Sequence, residues 1–224
     1  MKKLLLLFGC TLLIGAVFGQ GQSYDPSFKN LYKAVALHPY YRNSAGRFHD
    51  SVVKRWDRDI RIYVQGSDKS IRKEVLNKLR STIELITPAL DNKLHISFTK
   101  NKQSANYLIN LDSKGRSGFF IKWDSRFNIY SCQLLLNTRL IFNGDEQAGH
   151  VSHYFLQSLG DFVFNQNDRN GLLKTDPATS SNLSYWRQDI NDTDLRILKL
   201  HYADQIKTGM SAKDIDQFFD RQGK

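Results

Sequence analysis

Glu146, His150, His153 and Gln157 are the residues whose types and spacing best suit chemistry. They lie in the segment Asp145-Glu-Gln-Ala-Gly-His-Val-Ser-His-Tyr-Phe-Leu-Gln-Ser-Leu-Gly160. Offsets of four, three and four residues bring successive members together along one side of a helix. Two neutral imidazoles and a carboxylate are donors that zinc or another transition metal accepts, so His150, His153 and Glu146 form the candidate metal set. A hydrolytic zinc centre also needs an open coordination position and a base for its bound water. Tyr154 stands beside His153 and does not supply a carboxylate base. The competing expectation is that these side chains hydrogen-bond within a cleft or along a packed face.

Other chemistries find less support. No Gly-x-Ser-x-Gly elbow surrounds Ser152 or Ser158. Cys132 falls on the apolar side of a predicted strand, where a thiol is buried and inert. Glu74 and Glu84 form no carboxylate pair suited to glycoside hydrolysis, and Gly115-Arg-Ser-Gly118 is not followed by a Walker pattern. Trp56, Arg58, Arg61, Tyr63, Trp123, Arg126 and Tyr130 supply rings and cations for a groove that would take a glycan or peptide. Gln157, Tyr154, Trp123 and Arg126 are the expected cleft residues.

The elements that must position these groups follow from periodicity. Ile60, Ile62 and Val64 alternate with Arg61, Tyr63 and Gln65, as in a strand with one buried face. Ile71, Val75, Leu79, Ile83 and Ile86 recur at helical spacing, and Pro88 is expected to close that helix. Strands are predicted at Leu94 to Phe98, Tyr107 to Leu111, Phe119 to Trp123 and Tyr130 to Thr138. The pattern then turns helical over Asp145 to Leu159. After a long polar stretch from Asp161 to Gln188, a helix runs from about Asp192 towards Gly209, and Ser211 caps a last one through Asp214. The fold class is α/β or α+β: a mixed sheet with a long N-terminal helix, a central motif helix and C-terminal helices.

The chain opens Met1-Lys-Lys3 and continues apolar from Leu4 to Phe18, the layout of a secretory signal cleaved after Gly19. The run is shorter than the roughly 18 residues a membrane span requires. Lipoprotein attachment through Cys10 is a minor alternative, since cleavage there would leave an apolar tail. The expected organisation is a signal peptide at 1–19, an irregular lead-in at 20–58 in which the apolar stretch Leu31 to Leu37 suits a helical turn or more before Pro39, and one domain at 59–224. The mature chain would be secreted or periplasmic, would keep one cysteine, Cys132, and so would have no internal disulfide. Of the 32 basic residues, Lys2 and Lys3 leave with the signal, and 30 remain against 22 acidic ones. Export directs that surplus to an extracytoplasmic peptide, glycan or envelope protein rather than to nucleic acid, and no other segment reads as a membrane span.

His153-Tyr-Phe-Leu-Gln157-Ser-Leu-Gly160, with the order of elements before it, resembles the metzincin peptidases and the DUF2927 family of uncharacterised exported bacterial proteins. Metzincins carry His-Glu-x-x-His-x-x-Gly on a helix that follows a strand, a long helix and further strands. The resemblance covers roughly 60–221. It extends to Asn167-Asp168 and to the closing Asp194-Leu-Arg-Ile-Leu-Lys-Leu-His-Tyr202 with Gly209-Met210-Ser211. It implies a metzincin-like domain in which His153 takes the first ligand place, Tyr154 the glutamate place, Gln157 the second ligand place and Val163 the third. With glutamate and two ligands missing, the motif implies a degenerate scaffold without a cofactor, more consistent with a binding or structural protein than with an enzyme. The alternative is a metal-dependent hydrolase that draws on Glu146 and His150. Expressed in a secreting host, the chain should yield a product whose intact mass begins at Gln20; a membrane-retained product still carrying Met1 would contradict the export expectation.

Overall fold

The computed structural model describes residues 25–37, 51–115, 117–141, 148–163 and 190–222, with the backbone alone at 140–141 and 148–150. Helix α1 (Pro26–Ala36) starts where the Asp25 carboxylate accepts the Ser27 N–H and Pro26 sets the first turn. Strand β1 (Arg55–Trp56) is short and β2 (Ile60–Gln65) follows it. Helix α2 (Lys69–Leu90) is capped by Asp68, which accepts from Ser70 and Ile71. Then come β3 (Ile96–Phe98), a single 3-10 turn, β4 (Tyr107–Asp112), β5 (Gly118–Trp123) and β6 (Asn128–Asn137). Helices α3 (Thr138–Ile141), α4 (Ala148–Ser158), α5 (Asp192–His201) and α6 (Ala212–Gln222) complete the order.

The molecule is a mixed α/β protein. Its sheet runs β3-β2-β4-β6-β5, parallel except for β5, which turns back on β6. Ile129 of β6 pairs with Trp56 on one edge and with Trp123 on the other, so β1 extends the edge that β4 occupies further along. Alternation decides which face is covered. Ile60, Ile62, Val64, Tyr107, Ile109, Cys132, Leu134 and Leu136 share one core with Val75, Leu79 and Ile86 of α2 and with Val151 and Phe155 of α4. Thr82 of α2 and Ser152 of α4, both buried, satisfy each other across that helix contact at 2.7 Å.

Three expectations need correction. Pro88 does not end α2, which continues to Leu90 and stops at Asp91 and Asn92 in left-handed conformations. Pro88 faces solvent in the last turn, so the Glu84 carbonyl that loses its partner can be hydrated. Within the lead-in, the helix expected over Leu31 to Leu37 starts earlier, at Pro26, and forms α1, which buries Phe28, Tyr32 and Val35 in the same core, while β1 joins the sheet. Finally, α5 ends at His201 rather than near Gly209, and Ile206 reaches the core from the following turn. Ser211 caps α6 with Asp214 as its spacing implies.

His201 joins these parts. Its ring is fully buried, with Nε2 donating to the Lys54 carbonyl at 2.9 Å and Nδ1 facing the Tyr32 hydroxyl at 3.1 Å. Desolvation, reinforced by the Arg55 guanidinium, pushes the imidazole down from its ordinary 6.5 to about 3 despite the Lys54 hydrogen bond. The ring is therefore neutral, donates from Nε2 and accepts the Tyr32 proton at Nδ1. Between about pH 3 and 6.5 the unfolded chain binds a proton here that the folded chain does not. Stability should therefore fall as pH drops through 6.5 and stop falling below about 3, by a total on the order of a few kcal/mol. Urea midpoints at pH 7 and pH 4.5 should separate accordingly, and less so in Tyr32→Phe/His201→Leu; equal midpoints in the native chain would contradict the assignment.

Candidate functional site

The C-terminal end of α4 is buried, which obliges the rest of the fold to satisfy its carbonyls. Each partner comes from a different place. The Phe155 carbonyl accepts the Ser158 hydroxyl at 2.7 Å, and the Gln157 carbonyl accepts the Phe162 N–H at 2.9 Å. The Trp56 indole N–H donates to the Ser158 carbonyl at 3.1 Å, and the Tyr202 hydroxyl donates to the Leu159 carbonyl at 2.7 Å. The turn then runs through Gly160 and through Asp161 in a left-handed conformation, φ 53°. Val163 hands its N–H to the Val35 carbonyl of α1.

Of the candidate metal set, Glu146 lies outside the described residues, and His150 contributes only its backbone, in α4. His153 is buried, 1% exposed, with its ring edge-on to that of Tyr154 at 5.5 Å. Gln157, also buried, donates from Nε2 to the Phe162 carbonyl at 3.2 Å, so its side chain closes the turn that its own carbonyl begins. Among the described residues no cluster of three histidine, cysteine or acidic side chains is placed to hold a metal. The positions matching the peptidase motif, His153, Gln157 and Val163, provide one good donor, one amide and one side chain with none. That set does not suit zinc.

The remaining expected residues disperse. Trp56 is core, 2% exposed and stacked on Tyr107, rather than part of a groove. Arg58 pairs with its neighbour Asp57, and Arg61 donates to the Ser104 carbonyl. Trp123 is half-buried and lies 4.9 Å below the Lys54 ammonium, while Arg126 is exposed at the β5–β6 turn. Cys132 fits the inert reading: burial pushes its thiol up to about 12. Nearby, Tyr107 and Ser158 share a 2.7 Å hydroxyl contact within the core.

Two polar residues escaped the sequence reading. Lys54, 6% exposed, makes a 2.8 Å ion pair with Asp161, and this pair links the residue just before β1 to the turn after α4. Such a largely buried pair adds geometry more than stability, and removing one partner is costly. His201 is the other; its only signal is a place between Leu200 and Tyr202 on an apolar stripe. No protein-family model and no curated protein matches the chain.

Gly160 is required by space. A Cβ there would lie 2.5 Å from the Phe162 ring and 2.7 Å from His201 Nε2. Gly160→Ala should destabilise the protein by about 1–3 kcal/mol in urea unfolding; a change near zero would mean that the turn is not held as described.

Proposed function

We propose that this chain is an exported envelope protein that binds or supports an extracytoplasmic partner on a degenerate, metallopeptidase-like scaffold, without catalysis of its own. The observation that carries this is the use of Gln157. At the place where the motif would present its second metal ligand, the side chain is buried and donates to the Phe162 carbonyl, closing a structural turn. The succession of β2, long α2, strands β3 to β6 and then α4 agrees with the element order on which the resemblance to metzincins and the DUF2927 family rests. Val163, at the third place, meets α1 through its backbone and has no donor in its side chain. Around this point Trp56, Tyr202, Phe162 and His201 pack in the core, which supports a role for the end of α4 in the fold rather than towards a substrate.

Whether the chain holds a metal decides between this and an altered hydrolase built on Glu146, His150 and His153. Purified protein equilibrated with zinc and then desalted should retain far less than one ion per chain, and His150→Ala should not alter that. Stoichiometric zinc lost in His150→Ala, together with zinc-dependent cleavage of a peptide library, would overturn the proposal in favour of the hydrolase.

A further inference from the structure

At the carboxyl ends of β2 and β4, beside the first turn of α2, lies a cleft of about 360 Å³. The ends of parallel strands in an open α/β sheet are where such folds form ligand crevices. The register explains what lines it. Gln65 pairs with Asn110, which puts two amides side by side, and Tyr63 lies two residues back on the same face as Gln65. Asp112 continues β4 past the last residue of β2, Ser67 begins the loop to α2, and Arg72 reaches in from the helix. Gly66 lies against Leu111, where an added Cβ would come within 2.9 Å of the leucine Cβ, so the backbones of the two strand ends approach closely beneath these groups.

The hydrogen-bonding capacity left over is mixed. Gln65 Oε1 accepts from Lys102 Nζ at 2.8 Å, which orients the amide and leaves its NH₂ as a donor. Asp112 Oδ1 accepts the Lys114 N–H at 3.0 Å, leaving Oδ2 as an acceptor. Among the described residues Arg72 makes no ion pair and no side-chain hydrogen bond, and neither the Tyr63 hydroxyl nor the Asn110 amide is engaged. One cation and one carboxylate balance, so the cleft does not select an anion. An apolar ligand is disfavoured because five of these groups would be desolvated without partners. Guanidinium, carboxylate and the two amides are planar groups with adjacent donor or acceptor positions, a match for vicinal hydroxyls that both donate and accept. The half-buried Tyr63 ring adds a flat surface for the C–H face of a pyranose.

We infer that this cleft is a binding site for a neutral saccharide, with Arg72, Asn110, Gln65 and Asp112 reading its hydroxyls. The inference stands on the cleft alone and does not rest on export or on the role assigned to α4. The cleft is the size of a small-ligand site, and its exposure makes binding weak, with Kd on the order of 1 mM for a monosaccharide.

The test is a titration of ¹⁵N-labelled full chain with D-glucose, D-galactose and N-acetyl-D-glucosamine separately, with L-alanine and inorganic phosphate as zwitterion and anion probes. At least one sugar should give saturable shifts centred on the amides of Tyr63, Gln65, Gly66, Asn110 and Leu111. Arg72→Ala and Asn110→Ala should each weaken that binding about tenfold or more, whereas Lys122→Ala on β5 should not. The saccharide assignment is overturned if none of the three sugars gives saturable shifts there, if the shifts centre elsewhere, or if L-alanine or phosphate binds more tightly than every sugar. Undiminished binding in both cleft variants would overturn it as well.

Discussion

A single neutral imidazole holds the halves of this fold together. His201 ends α5, yet its two nitrogens reach Lys54 beside β1 and Tyr32 on α1, while its ring backs onto Phe162 and Gly160 after α4. Each contact restricts the next. A protonated ring would turn the Tyr32 acceptor into a donor and place a charge in a dry site near Arg55, so the junction works only while the ring is neutral. A side chain at Gly160 would displace the ring from the Lys54 carbonyl. Released from that carbonyl, β1 would also be less firmly aligned for the Lys54–Asp161 pair.

That junction explains why α4 can end inside the protein. A buried helix terminus is tolerable only when its carbonyls find donors. Here they are the indole of Trp56, the phenol of Tyr202 and the N–H of Phe162, drawn from β1, the end of α5 and the turn itself. Gln157 then belongs to the closure of the turn. The same packing that stabilises the helix end consumes the positions at which a metallopeptidase would expose ligands, and this is the physical basis for proposing a scaffold that has kept its architecture and given up its chemistry. The carboxyl ends of β2 and β4, beside the first turn of α2, lie apart from this packing, and there the polar groups lining the cleft remain accessible.

What could be read from the sequence was whatever a short-range period encodes. Alternation in Ile60–Gln65 and the Ile71–Ile86 stripe located β2 and α2, and the Ser211–Asp214 spacing located the α6 cap. Cys132, Leu134 and Leu136 were placed correctly on one buried face because a strand has only two. Local signals misled at Pro88, which reads as a stop although the carbonyl it orphans lies on the exposed side of the last turn, and α1 was legible only in part, because much of its value lies in placing Tyr32 against His201. The site was less legible. Histidine spacing drew attention to α4, but nothing local says that Gln157 points back at its own turn. The pairing of Gln65 with Asn110 is likewise a matter of register between strands 45 residues apart, which no periodicity within either strand reveals.

The state of the His201 ring tests this account most directly. The chain has six histidines, and ¹H–¹⁵N correlation spectra of their rings followed from pH 8 to pH 4.5 report charge and tautomer individually. The His201 ring, assigned by the loss of its signals in His201→Leu, should remain neutral throughout with its proton on Nε2, and replacing Tyr32 with phenylalanine should perturb its Nδ1. If the His201 ring instead titrates near pH 6.5, or carries its proton on Nδ1, the junction does not exist in the form described.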